Sequence, residues 1–322
     1  MRAIVVSKPG GPEALDYTEF DDPVPGPGEI VIDIAAAGVN YLDVYFRTGR
    51  YPKPTPFVIG TEGAGTVTAV GPDVTGVNVG DVVASSDVNG SYAAKAIVRA
   101  DRAVHVPDGV SAEDAAAAML QGMTAHYLTS SVYAVQPGDT VVVHAAAGGM
   151  GLLLTQVVKL LGGRVIGTVS TAEKERLARD AGADEVIRYT ETEFAPEVRR
   201  LTDGEGAAAV YDGVGAATFD GSLESLRWRG TLALYGAASG PVPPFDPMRL
   251  NTGGSLFLAR PTLAHFVATR EELLARSGDV LGWVKSGTLR LHIGRRYDLA
   301  DARTAHEDLQ GRRTTGKLLL LP

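Results

Sequence analysis

The stretch from Thr140 to Lys174, TVVVHAAAGGMGLLLTQVVKLLGGRVIGTVSTAEK, constrains this chain more than any other. Residues 141–143 are consecutive β-branched valines, the pattern of a short strand buried on both faces. Ala146-x-Gly148-x-x-Gly151 follows at once, and residues 152–161 are apolar enough for a buried helix. Gly162 and Gly163 stop that helix, and residues 164–169 form a second apolar run. Strand, tight turn, helix and strand make a βαβ unit whose turn has the form of a dinucleotide-binding loop. Glycines there let the backbone approach a pyrophosphate and let the helix lie close on its strand. The helix N-terminus then offers free N–H groups and a positive dipole end to the phosphates. The candidate phosphate-binding residues are Ala146, Gly148, Gly149, Met150 and Gly151, with Ala146 at the place of the first glycine.

The end of the second strand discriminates between nucleotides. A site for NAD carries Asp or Glu there, accepting from the ribose hydroxyls. This chain has Ser170 and Thr171, then Lys174, and no acidic residue between Gly151 and Ala172. A neutral, hydroxyl-rich end with a nearby cation suits a 2′-phosphate, which predicts NADPH, although Glu173 and Glu175 flank the lysine.

The 322 residues suffice for two domains. A net charge of −8 without a long basic run argues against nucleic-acid binding. No apolar run reaches the ~18 residues of a membrane span, and the N-terminus reads as a strand and not as a signal peptide. A cytoplasmic location is the resulting expectation. The absence of cysteine rules out disulfides, a thiolate nucleophile and Cys-ligated zinc. The six histidines show no metal-ligand spacing, so no metal site is expected.

Residues 1 to about 110 alternate short strand candidates (3–6, 29–35, 64–70, 81–84 and 93–98) with turn signals such as Pro25-Gly26-Pro27-Gly28, as a barrel or sandwich does. A helix is expected at 40–48. Residues 111–134 read as helix, broken near Gly122, with a capping-box-like start at Ser111-x-x-Asp114. After the βαβ unit, helices (173–181, 191–202, 219–226) alternate with strands (185–189, 207–212, 231–235, 256–259). That alternation predicts a parallel, doubly wound sheet. Beyond Arg260-Pro261 come helices at 271–286 and 300–310 and a strand at 317–321. The expected division is a catalytic domain over 1–124, a nucleotide-binding domain over 125–259, and a return to the first domain over 260–322.

Several motifs together resemble the zinc-free quinone oxidoreductases, the zeta-crystallin-like branch of the medium-chain dehydrogenase/reductase superfamily. They are Gly38-Val39-Asn40-Tyr41-Leu42-Asp43, Thr48-Gly49-Arg50-Tyr51-Pro52, Gly60-Thr61-Glu62-Gly63-Ala64-Gly65, Gly80-Asp81-Val82-Val83, His144 through Gly151, and Tyr211-Asp212-Gly213-Val214-Gly215. The resemblance runs nearly end to end. It implies an α/β chain, a Rossmann doubly wound parallel sheet plus a GroES-like β-barrel catalytic domain, with the active site in the cleft between them. It also implies a homodimer joined edge to edge near residues 256–258. Zinc-dependent relatives carry His where this chain has Thr61, so with no cysteine the usual zinc ligands are missing.

The chemistry then expected is hydride transfer from NADPH to a small-molecule quinone or enone, an acceptor electrophilic enough to need no Lewis acid. By the family match, Asn40 and Tyr51 lie by nicotinamide and substrate, with Tyr45 as a further donor and Asp43 as an orienting or capping group. Besides Ser170, read from the strand end, the match assigns cofactor contacts to Thr124, Lys174, Tyr189, Gly236, Ala237, Phe257, Leu258 and, more weakly, Lys317. His144 reads as a core or supporting residue. The alternative is an enone or enoyl-thioester reductase in which Tyr51 supplies the proton. A non-catalytic nucleotide-binding role is a third reading.

Overall fold

In chain order the computed structural model, which describes residues 1–322, begins with β1 (Arg2–Val6), β2 (Asp16–Glu19), β3 (Glu29–Val39), α1 (Tyr41–Arg47), β4 (Phe57–Val58), β5 (Glu62–Val70) and β6 (Val82–Ser85). It continues with β7 (Val88–Asn89), β8 (Lys95–Arg99), β9 (Val104–His105), α2 (Ala112–Tyr127), β10 (Thr140–Val143), α3 (Gly149–Leu160), β11 (Arg164–Val169) and α4 (Ala172–Asp180). Then come β12 (Glu185–Arg188), α5 (Phe194–Leu201), β13 (Ala207–Asp212), α6 (Phe219–Glu224), β14 (Leu226–Leu234), α7 (Met248–Thr252) and β15 (Phe257–Ala259). The chain ends with α8 (Arg270–Lys285), β16 (Ile293–Asp298), α9 (Ala302–Gln310) and β17 (Lys317–Leu321). Two units result: Met1–Met123 with Val267–Pro322, and Thr124–Phe266.

The first unit is organised by β3. One side of this strand pairs with β5 along its length; the other is shared. Glu29 to Asp33 pair with β8, and Ala37 to Val39 with β17. Register shifts in the β3–β5 ladder between Val31 and Ile32 and between Ile34 and Ala36 bend the sheet, as bulges do. The curled sheet runs β16-β17-β3-β5-β6-β9, and a small sheet β2-β1-β4 lies apart from it. Ile4, Ile30, Ile32, Val67, Tyr92, Val98, Leu318 and Leu320 share one core. Contacts from both ends of the chain therefore complete this unit.

The second unit is a six-stranded sheet in the order β12-β11-β10-β13-β14-β15, every pairing parallel. Numbered from β10, that is 3-2-1-4-5-6, so the order reverses between β10 and β13 and opens a crevice at their carboxyl ends. All six residues of β13 are buried, which is why the run AAAVYD shows no alternation.

Among the local differences from expectation, β2, β4, β7, β9 and α7 are added, β3 runs on to Val39, and three others have a plain physical reason. α2 is unbroken at Gly122, because that glycine serves packing: a Cβ there would lie 2.5 Å from Val280 Cγ1 of α8. β14 begins at Leu226 and not at 231, taking the last residue assigned to the preceding helix. β16 was not anticipated; in IGRRYD only Tyr297 is buried, so an edge strand of charged residues carries no apolar pattern.

Candidate active site

At the carboxyl end of β10 the chain turns sharply. Ala145 takes φ +50°, and the Ala146 N–H bonds back to the Thr168 carbonyl of β11 at 3.0 Å. Gly148 is the N-cap of α3, which starts at Gly149 and so leaves Gly149, Met150 and Gly151 in its first turn. A Cβ on Gly151 would lie 2.6 Å from Ala146 Cα and closer still to the Ala145 carbonyl. The turn can approach its helix only because that atom is missing. Gly148, Gly149 and Met150 are half-exposed while Ala146, Ala147 and Gly151 are buried, which leaves the start of the helix open to an anion.

Ser170 directly follows β11, and its carbonyl accepts from Thr190 Oγ1 at 3.0 Å. The Thr171 hydroxyl caps α4 by accepting from the Lys174 N–H, which seats Lys174 in the first turn above the strand end. The Tyr189 N–H bonds to Val169 and its ring is exposed. Ser170, Lys174 and Tyr189 thus gather at the ends of β11 and β12. The flanking Glu175 turns elsewhere, pairing with Arg179 at 3.0 Å and Arg188 at 3.2 Å. Across the sheet, Gly236 follows β14 with its backbone against Gly213, where a Cβ would lie 2.6 Å from the Gly213 carbonyl. Ala237 is buried. Phe257 and Leu258 lie in β15, the Phe257 side chain exposed. Thr124 is buried in α2.

In the first unit, Asn40 precedes α1. Its side chain is buried among charges: Nδ2 donates to Glu62 Oε2 at 2.8 Å and to the Gly38 carbonyl at 3.2 Å, and Oδ1 accepts from Lys317 Nζ at 2.8 Å and Gln121 Nε2 at 3.2 Å. Lys317 also pairs with Glu62 at 2.6 Å, and Glu62 accepts the Leu120 N–H at 2.6 Å. Gly38 makes room for the pair, since a Cβ there would meet the Glu62 carboxylate and Lys317 Cε. Neither Asn40 donor nor the Lys317 ammonium points to solvent.

A second buried chain adjoins the first. Asp43 accepts from the Asn40 N–H (2.9 Å), the Tyr92 hydroxyl (3.1 Å) and Thr61 Oγ1 (3.2 Å). Tyr92 Oη lies 3.2 Å from His306 Nε2, and His306 Nδ1 lies 3.0 Å from Arg47. A guanidinium only donates, so Nδ1 accepts and the ring proton sits on Nε2, donating to Tyr92. Burial raises the Asp43 carboxyl to about 6 against these hydrogen bonds and holds His306 down to about 3, with Arg47 adding to the effect. Beside this cluster, Tyr45 and Tyr51 meet edge to face with centroids 5.3 Å apart, and Arg50 lies 4.6 Å over the Tyr45 ring. Tyr45 is nearly buried, while Tyr51 is half-exposed with a hydroxyl bonded to no group of the chain.

Residues 26–108 match the family described as alcohol dehydrogenase GroES-like domain, and residues 149–273 that described as zinc-binding dehydrogenase. A quinone oxidoreductase of Pseudomonas aeruginosa is 44% identical over 97% of both chains. The chain belongs to the zinc-free quinone oxidoreductases of the medium-chain dehydrogenase/reductase superfamily. A mycobacterial relative solved in complex with NADPH is 54% identical and superposes with a TM-score of 0.98 over 100% of both chains. A 2-haloacrylate reductase of a Burkholderia species is 40% identical, over 99% of this chain and 98% of that one.

For this quinone oxidoreductase the residues expected at the nucleotide end do gather, in three clusters along the strand ends of one unit. Asn40 and Lys317, expected as donor and cofactor contact, are brought together with each other. Sequence reasoning did not single out Glu62, Gln121, Tyr92, Arg47 or His306. The available signal was a charged residue inside a glycine- and alanine-lined strand: Glu62 opens β5 wholly buried, and a carboxylate there needs a cation.

Proposed function

We propose that the chain reduces quinones with NADPH by direct hydride transfer, without metal or flavin. The end of β11 carries this reading. The residues at this strand end are Ser170 and Lys174 in place of an acidic ribose ligand, and of the two glutamates that flank Lys174, Glu175 is paired with two arginines. The turn suits a pyrophosphate because Gly148, Gly149 and Gly151 bring backbone without side chains to the start of α3. NADPH, when bound, supplies the hydride.

The chain's own residues bind, orient and protonate. The first turn of α3 holds phosphate through N–H groups, and Lys174 with Ser170 and Tyr189 holds the 2′-phosphate end. Gly236, Ala237, Phe257, Leu258 and Thr124 shape the nicotinamide end. Negative charge growing on a quinone oxygen is met by hydroxyl donors, which preorganisation makes effective. Tyr51 is the residue with an uncommitted hydroxyl, with Tyr45 behind it. Asn40, its amide held by Glu62 and Lys317, contributes a fixed wall. A reduced quinone is a weakly basic phenolate, so solvent completes its protonation.

A second reading, reduction of an activated alkene with Tyr51 as proton donor, draws support from the free Tyr51 hydroxyl and from the relative named 2-haloacrylate reductase. The protein is further proposed to be a cytoplasmic homodimer joined along β15, where Phe257 is 60% and Trp228 of β14 80% exposed. No helix is long and apolar enough to cross a membrane. An unaltered protein sedimenting as a monomer would remove the dimer proposal, and a Phe257→Asp variant still sedimenting as a dimer would remove β15 as its seam.

The test follows NADPH and NADH oxidation by chelator-treated protein with a quinone panel and an enoyl thioester. NADPH-dependent quinone turnover is expected. Turnover of the thioester alone, abolished in Tyr51→Phe, would replace the first reading by the second. NADPH binding without turnover of any acceptor would overturn both.

A further inference from the structure

Behind the carboxyl ends of β10, β11 and β13 lies a buried polar chain with no place in the reaction above. Asp212, the last residue of β13, has no exposed surface. Its Oδ1 accepts from the Val214 N–H at 2.7 Å and the Gly215 N–H at 3.0 Å. Its Oδ2 accepts from Thr218 Oγ1 at 2.7 Å and Ser222 Oγ at 2.9 Å. Ser222 Oγ lies 3.0 Å from His144 Nε2, and His144 Nδ1 lies 2.9 Å from Thr168 Oγ1. Phe194 closes over the imidazole edge-on at 4.8 Å.

The proton order follows from chemistry. A carboxylate only accepts, so the Ser222 O–H is spent on Asp212 and its oxygen must accept the His144 Nε2–H. Nδ1 then accepts the Thr168 hydroxyl. Burial keeps the imidazole neutral against the pull of Asp212. Every link has one direction, and every member is satisfied.

Both ends of the chain finish on loops at the crevice. Thr168 receives the Ala146 N–H on its carbonyl, which sets the turn before α3. Asp212 sets the Gly213–Gly215 backbone, and the order continues: Ala238 N–H donates to the Gly213 carbonyl at 3.1 Å, and Ser239 N–H to the Val214 carbonyl at 2.8 Å. Leucines would fill this space at less desolvation cost. A directional network instead fixes one arrangement of the groups it touches.

We propose that the Thr168–His144–Ser222–Asp212 chain is a positioning device that holds the turn at 145–148 and the loops at 213–215 and 236–240 in one arrangement, ready for the dinucleotide. This rests on the NADPH reading above. Its residues touch no ligand; they act through the loops, so the effect belongs in cofactor affinity and not in turnover.

Ser222→Ala cuts the link and leaves Asp212 three donors. In the nucleotide-free protein, amide hydrogen exchange should quicken together at 145–150, 213–218 and 236–240. NADPH Kd should rise about tenfold, the scale of one buried hydrogen bond, with kcat at saturating NADPH within about twofold. Ser222→Thr, which keeps the hydroxyl, should restore both. Thr168→Val should reproduce the pattern from the other end and stands in if Ser222→Ala does not fold. A fall in Tm with unchanged NADPH Kd, or faster exchange confined to α6, would reduce the chain to packing and overturn the proposal. Failure of the unaltered protein to bind NADPH would instead refute the function, while the exchange coupling would still test this inference.

Discussion

Lys317→Met should destabilise the first unit by about 3–5 kcal/mol, the cost of leaving one partner of a buried ion pair uncompensated. The structure sets the upper part of that range. Glu62 is wholly buried and Lys317 nearly so, and without the ammonium the carboxylate keeps only Asn40 Nδ2 and the Leu120 N–H. For a unit of this size each kcal/mol moves Tm by roughly 2–4 °C, so a shift of about 6–20 °C is expected. The assays are urea unfolding for the free energy and thermal unfolding for Tm, both followed by Trp283 fluorescence in a Trp228→Phe background. Those are the two tryptophans of the chain; Trp283 lies on α8 of the first unit, and Trp228 is largely exposed. The decisive comparison is Glu62→Gln/Lys317→Met, which removes both charges at similar volume and should return to within about 1 kcal/mol of the unaltered protein. A loss below about 1 kcal/mol in Lys317→Met, or no recovery in the double variant, would refute the account of this pair.

Gly151→Ala places a Cβ against backbone that cannot move aside; NADPH affinity should drop at least tenfold by fluorescence titration. Lys174→Ala should lower kcat/KM for NADPH about tenfold, a charge-assisted hydrogen bond of roughly 1.5 kcal/mol, and leave NADH unchanged; equal losses would remove Lys174 from the 2′-phosphate. His306 is held to about 3 in the fold against roughly 6.5 in the unfolded chain. Its folded value is depressed, so the unfolded chain binds the extra proton between those values, and stability complete above pH 6.5 is lost as pH falls toward 3. His306→Gln should flatten that acid limb by about 3 kcal/mol between pH 7 and pH 4, and parallel stability curves would count against it.

The βαβ unit was readable because both of its signals are local: a glycine turn and β-branched runs whose burial needs no distant partner to explain. The barrel was readable only as a class. β3 extends past residue 35 because β17 pairs with Ala37 to Val39, and nothing in the run AAAGV announces a partner so far away in sequence. Gly122 reads locally as a breaker; its reason is Val280 on another helix. Asn40 and Lys317 were both found, each as a separate candidate. The missing fact was Glu62 between them, a tertiary contact that residue type alone does not reveal.

The shared edge of β3 also bears on how the chain is made. Asn40 and Lys317 are 277 residues apart, and at about 5–20 residues per second the ribosome needs roughly 15–55 s to deliver the second after the first. During that interval Ala37 to Val39 have no β17, and Asn40 and Glu62 have no cation, while the whole inserted unit Thr124–Phe266 has already emerged. The first-made domain is therefore expected to be the last finished. Protease digestion of stalled nascent chains should show 124–266 resistant while residues 1–123 are still cut, and early resistance of 1–123 would contradict this order. An unfinished β3 is an open strand edge, so the interval before β17 arrives is when this protein most needs a chaperone.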